Sequence, residues 1–262
     1  MADMRVLTEP KGNQNAPGFS YSEWLRIRGN GAYDSEYNEF LRGKSVIVVG
    51  ASPSLEGKGL GSFIDGHDLV ARINKGFPTT KGVVGDIGSR TDIHYHCLHT
   101  KEECGGKVFF EEMKREGVYV SCPYPKFVQP FYNDVSHFER ENKEWGLRFH
   151  TINTEYYMSL SKSLGTRPNS GTLAVIDLLA YDLASLYVTG FTWFRDGWRK
   201  SYKDMGEIFG KERGKLLERQ WQESQFNGTH SQKPQEQLIK EIYLNDSRVD
   251  IDQTMKSILE VE

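Results

Sequence analysis

Short apolar runs alternate along the chain with longer mixed segments. Ser45–Val49 (SVIVV) is the clearest: five residues without a charge that stop at Gly50, the pattern of a parallel strand buried on both faces. Asp68–Asn74, Ile93–Cys97, Val118–Cys122, Phe149–Asn153, Leu186–Phe191 and Val249–Asp252 read as further strands. Helices are predicted over 109–115, 135–145, 173–184, 207–223, 234–243 and 253–261, with another beginning at Glu155 and two short outer ones over 21–28 and 34–41. Such alternation predicts one α/β domain, Rossmann-like, with a mostly parallel sheet flanked by helices. It is expected to occupy residues 21–262, behind a loose arm over residues 1–20 that is rich in Gly, Pro, Asn and Gln.

Composition narrows the function classes. With 262 residues there is ample chain for a core, and 37% hydrophobic and 26% charged residues are ordinary for a globular protein. A formal net charge of -3 gives no footprint for nucleic acid. The most apolar stretch, Leu173–Phe191, is interrupted by Asp177 and Asp182, so no transmembrane segment is expected. Cys97, Cys104 and Cys122 cannot all pair internally, and no signal-peptide core opens the chain; reduced thiols and a cytoplasmic location are expected.

Polar loops recur at expected strand ends and helix starts: Gly50–Ser54, Asn74, Asn169–Thr172 and Thr229-His230-Ser231. One parallel sheet would bring such loops to one edge, where ligands collect. A polar turn opening the apolar helix after Pro168 offers backbone N–H groups to an anion, although a plain capped helix accounts for the same residues. His230 has the reference pKa of a general base, or is a cap-region histidine facing water. Neither phosphate-loop fingerprint is met, because Asn38 stands where Gly43-Lys44-Ser45 needs glycine and the turn after Val49 reads Gly-Ala-Ser-Pro-Ser-Leu. His94, His96 and Cys97 alternate across two faces of one strand, and Asp250-Ile251-Asp252 lies far from the first turn in sequence; no metal site is expected from either.

These residues together resemble a known family. Val49-Gly50, Ile64-Asp65-Gly66-His67-Asp68 and Arg72-Ile73-Asn74 are similar to the large sialyl motif of the animal and plant sialyltransferases, glycosyltransferase family 29, with Asp86–Thr91 similar to the segment that follows it. Pro168–Gly171 through Tyr187–Phe191 resembles the small motif, Gly197–Tyr202 the third, and His230 with Glu236 the very small one. Pro53-Ser54-Leu55 and His230-Ser231 are also similar to features of the bacterial family 42 sialyltransferases. The resemblance implies a GT-A variant that moves an ulosonic acid, sialic acid or Kdo, from a CMP-sugar to a glycan hydroxyl, inverting and without metal or cofactor. By position, Gly50, Ser52, Asn74, Ser170, Gly171 and Thr172 would bind CMP, His230 would take the acceptor's proton, and Tyr202 would hydrogen-bond the departing phosphate, with Arg199 or Lys200 nearby. The chain departs from the family pattern at Ala51 (Asn in the family), at Val46 and Asp182 (the motif cysteines), and at Ser201 (His). Two other expectations stay open: a different nucleotide-sugar transferase on the same scaffold, and a catalytically silent nucleotide- or glycan-binding protein.

Overall fold

The structure is a computed structural model that describes residues 7–8, 20–227 and 230–262, without the side chains of Met205 and 221–227. The arm expected over residues 1–20 lies outside the described residues apart from Leu7, Thr8 and Ser20. The described residues form nine strands in chain order: β1 (Leu7–Thr8), β2 (Ser45–Val49), β3 (Leu69–Ile73), β4 (Ile93–Tyr95), β5 (Tyr119–Cys122), β6 (Val128–Gln129), β7 (Phe149–Thr151), β8 (Ser185–Thr189) and β9 (Val249–Ile251). Seven form one sheet in the order β7-β5-β4-β3-β2-β8-β9, and β1 pairs with β6. Every pairing is parallel.

Helices cover both faces, which is why β2 can be apolar throughout. Val46 and Val48 face a large core with Trp24, Tyr37 and Leu173, whereas Ile47 and Val49 face a smaller one with Leu55, Ile64 and Ile87. The helices expected over 21–28 and 34–41 form as Tyr21–Arg28 and Ser35–Leu41, and their Trp24 and Tyr37 are fully buried. The expected helix over 207–223 is two, Met205–Phe209 and Lys211–Asn227, divided at Gly210, whose φ of 84° suits glycine.

The segment after the first turn is pinned rather than loose. Asp86 accepts the amides of Gly57 and Gly59, each at 2.9 Å, and a helix, Gly61–Asp65, follows. Asp65 caps the amides of Ser89 and Arg90, while the Arg90 guanidinium donates to the carbonyls of Asp65, His67 and Asp68. Arg72, only 1% exposed, donates to the Ile87 and Arg90 carbonyls. Burial holds its pKa down at about 10, so it stays charged at neutral pH.

The chain runs outward from β2 to β7 on one side, then returns to place β8 and β9 on the other, so the topology reverses between β2 and β8. There the two strand ends touch. Gly50 N donates to Thr189 O at 2.7 Å and Ser52 N to Gly190 O at 3.1 Å. A Cβ on Gly50 would sit 2.2 Å from Gly190 O and 2.7 Å from the Phe191 ring. Asp252 fixes the second end by accepting from Thr189 Oγ1 (2.8 Å) and Gly190 N (2.7 Å).

Beneath the sheet lies a buried charge cluster. His150 Nδ1 is 3.0 Å from Asp34 and Nε2 3.3 Å from Asp177, which also accepts from Tyr95 Oη at 2.7 Å. Burial opposes the imidazolium, but Asp177 and then Asp34 outweigh it and raise the His150 pKa to about 8.

Two predictions follow from packing and charge. Gly50→Ala is expected to cost about 1–3 kcal/mol by overpacking. Gly82→Ala, with nothing within 4 Å of its Cβ, should stay near wild type. Urea unfolding of both variants measures the difference. The His150 pKa is raised on folding, so its contribution is complete below pH 6.5 and is lost as pH rises through about 8. His150→Leu, which strands Asp177, should therefore lose about 3–5 kcal/mol at pH 6. That deficit should shrink at pH 9 and in the His150→Leu/Asp177→Asn double variant.

Candidate active site

The carboxyl ends of β2, β3, β4, β5 and β8 open on one cavity of about 490 Å³, within the range of small-molecule sites. Gly50 and Ser52 enter it from the turn after β2, and Asn74 from the end of β3. Ser170 and Gly171 enter from a helix start, Tyr202 from the loop after β8, and His230 from the turn before the helix Gln232–Asn245. Thr172 does not line it. The expected turn at 168–172 is already helical, since the helix runs Ser170–Ala180 with Asn169 as its cap. Asn169 Oδ1 takes the Thr172 amide at 2.9 Å, and the Thr172 hydroxyl is buried without a hydrogen-bond partner. The amides of Ser170 and Gly171 lie in the first turn, where helix geometry gives them no acceptor, so the positive helix end faces the cavity.

Asn74 adopts φ 45° and is clamped on two sides. Its Oδ1 accepts the Cys97 amide at 2.9 Å, and its carbonyl lies 2.6 Å from Nε2 of the fully buried His94. Burial drives the His94 pKa down to about 3, so the neutral ring donates to that carbonyl. Burial raises the Tyr202 pKa and outweighs the Asn74 side chain, which lies close enough to favour the ionised form, so the group is a neutral phenol with an O–H to donate.

His230 is oriented by a backbone group. Nδ1 lies 2.8 Å from the Arg167 carbonyl, which can only accept, so the Nδ1–H tautomer is fixed and Nε2 carries the lone pair. The helix start behind it is tied to the Ser170 helix: Gln235 Oε1 accepts the Asn169 amide at 2.8 Å, and Gln232 Oε1 accepts from Asn169 Nδ2 at 3.2 Å. Both glutamines are fully buried. Glu236 grips the Arg195 guanidinium with two hydrogen bonds, 2.7 and 3.0 Å, and so holds the loop after β8. The Phe191 ring lies between Gly50 and Gly171, 2.7 and 2.3 Å from where their Cβ atoms would be, and requires glycine at both.

Other residues behave differently from expectation. The Ser52 hydroxyl donates to Asp196 at 2.8 Å and accepts the Ser54 amide, so it locks the turn. Arg199, 2% exposed, donates from Nη1 to the Gly50 carbonyl at 2.8 Å and braces that turn, while Lys200 is exposed and outside the lining. His96 bonds the Gly105 carbonyl and accepts the Leu98 amide, shaping the next loop. Sequence reasoning missed Lys203, Arg167, Tyr124 and Phe131, all in the lining. Lys203 follows Tyr202, and Arg167 precedes the small motif; their positions beside the motifs were the available signal. Tyr124 and Phe131 stack with centroids 4.3 Å apart on a Pro-rich connection, where no periodicity marks them.

Residues 31–126 match the profile of glycosyltransferase family 29 (sialyltransferase). Among solved structures, the chain is similar to a mammalian sialyltransferase in complex with Gal-beta-1-3GalNAc-ortho-nitrophenol, at 17% identity and a TM-score of 0.49, covering 96% of this chain and 91% of that one. A second mammalian sialyltransferase structure aligns at 16% identity and a TM-score of 0.48, covering 95% and 90%. No curated protein matches the chain. No helix among the described residues is long and apolar enough to cross a membrane. The family match spans β2 to β5, less than half of the chain, and the residues it shares with the cavity, Gly50, Ser52 and Asn74, lie where that sheet reverses.

Proposed function

We propose that the chain transfers an ulosonic acid, sialic acid or Kdo, from its CMP-linked form to a glycan hydroxyl, with inversion and without a metal. The observation that carries this reading is convergence: Asn74 with Tyr202, and Ser170 with His230, come from distant parts of the chain and line one cavity. CMP is held by backbone at Gly50, Ser170 and Gly171 and by the Asn74–Tyr202 pair. Tyr202 donates its O–H to the phosphate oxygen that departs. His230 takes the acceptor hydroxyl's proton at Nε2, the nitrogen that the Arg167 carbonyl leaves unprotonated. A phosphate is a good leaving group, and the sugar's own carboxylate eases the oxocarbenium character, so positioned donors and one base suffice. Attack from the face opposite the phosphate inverts the anomeric centre.

The test combines binding with turnover. CMP is expected to raise the melting temperature more than UDP or GDP does. His230→Ala should abolish CMP release from CMP-sialic acid or CMP-Kdo while the CMP shift persists. Preference for UDP or GDP would mean a different donor. CMP binding with no turnover of either donor by the wild type would mean a binding protein.

A further inference from the structure

Among the described residues two imidazoles line the cavity, and the proposed transfer uses one of them, His230. The other, His99, stands on the loop after β4. Its Nδ1 is 3.2 Å from Oδ2 of Asp134, which lines the same cavity from the first turn of the helix Tyr132–Trp145. With 43% of the His99 side chain and 36% of the Asp134 side chain exposed, a ligand in the cavity can reach the pair. An ionised carboxylate can only accept, so Nδ1 of His99 carries a proton. Nε2 and the second oxygen of Asp134 are left for a ligand, since neither makes another hydrogen bond or ion pair among the described residues.

Both members are held by the fold. The His99 carbonyl accepts the Gly105 amide at 3.0 Å. Nδ1 of His96 accepts the Leu98 amide at 2.9 Å, and its Nε2 lies 3.1 Å from the Gly105 carbonyl, so the loop is tied on both sides of His99. Between them the buried Leu98 takes φ 60°, a left-handed conformation that leucine rarely adopts. Asp134 lies one turn along from Phe131, the residue at the N-cap of its helix. The Phe131 ring stacks on Tyr124 at 4.3 Å and carries the Arg167 guanidinium at 5.1 Å, and the Arg167 carbonyl orients His230. A chain of contacts thus joins the pair to the proposed base.

Charge decides what the pair can hold. With a neutral ring it carries one negative charge, and with a protonated ring it carries none, so it offers no countercharge to a phosphate or a carboxylate. The donor proposed above bears both. A sugar hydroxyl suits the pair, because it can donate to the carboxylate and can either donate to Nε2 or accept from it, whichever state the ring is in. Resting on the transferase reading, we propose that His99 and Asp134 bind hydroxyl groups of the acceptor glycan, whose sugar is uncharged where it meets them. Asp134 accepts from one hydroxyl, and Nε2 of His99 bonds that group or the next one on the ring. The same carboxylate repels a sugar acid.

The test follows CMP release from CMP-sialic acid or CMP-Kdo with methyl β-galactoside, methyl β-glucoside and their uronic-acid counterparts as acceptors. In the wild type a neutral sugar should speed release, and more so than its uronic acid. Asp134→Asn should raise the KM for that neutral sugar about tenfold to a hundredfold and narrow its lead over the uronic acid. His99→Gln should raise the same KM about threefold to tenfold. Donor KM, and CMP affinity by calorimetry, should stay unchanged in both variants. If Asp134→Asn fails to fold, His99→Gln and the wild-type preference for the neutral sugar still carry the test. An acceptor KM unchanged in both variants overturns the proposal and leaves the transferase reading standing. So does a wild type that turns over a donor but is sped by no neutral sugar, or that uses the uronic acids equally well. A rise in donor KM in place of acceptor KM also overturns it, since the hydroxyls bound would be those of the donor's sugar. If the wild type neither binds CMP nor turns over either donor, the transferase reading itself fails, and this proposal with it.

Discussion

At the carboxyl ends of β2 and β8, Gly50 and Gly190 approach so closely that a methyl group on the first would overlap the carbonyl of the second. This contact sits where the sheet reverses its winding, and the rest of the cavity is hung from it. Asp252 anchors the Gly190 end, Arg199 the Gly50 end, and the Phe191 ring fills the gap toward Gly171. Two strand ends, a helix start and the Tyr202 turn are thereby held in one frame. Interiors at close packing transmit a displacement of one part to the others, so an extra carbon at this junction would disturb every wall.

Much of the large motif builds this frame rather than touching a ligand. Asp65, Arg72, Asp86 and Arg90 satisfy backbone groups of the loops around them. Their hydrogen bonds join the crossover between β2 and β3 to the one between β3 and β4. Asn74, at the motif's end, is the member that reaches the cavity, and even its side-chain oxygen and its carbonyl serve the next loop. A segment with many charged positions thus encodes chiefly a way to tie polar loops together.

The parallel sheet was legible because short segments rich in β-branched and aromatic residues, such as Ser45–Val49 and Ser185–Thr189, alternate with helical ones. Boundaries moved by one to a few residues where capping decided them: Asn169 drew Ser170–Thr172 into the helix, and Thr172 lost its place in the lining. His230, Asn74 and Tyr202 were visible through motif resemblance, since local periodicity says nothing about which loops meet. Gln232 and Gln235 were not visible, because a buried glutamine reads as a surface residue until its partner, Asn169, is brought from 63 or 66 residues away. Lys203 was missed for a similar reason: a lysine in a polar loop looks solvated, and only the fold puts Trp198 and the Glu103 carbonyl around it.

Two of the proton-bearing groups that line the cavity, Tyr202 and His230, are set by different means. Burial keeps Tyr202 neutral, so at working pH it can give a hydrogen bond and does not act as a base. The Arg167 carbonyl can only accept from Nδ1 of His230, which leaves Nε2 of the neutral ring as an acceptor. Phenol and imidazole come from the last two motifs of the series, and each has a neighbour that belongs to the fold: Asn74 at the end of β3 and Arg167 ahead of the Ser170 helix. In the proposed displacement, a ligand in contact with both would meet a donor at one end and an acceptor at the other, so that the departing oxygen would be hydrogen-bonded as the incoming one is deprotonated.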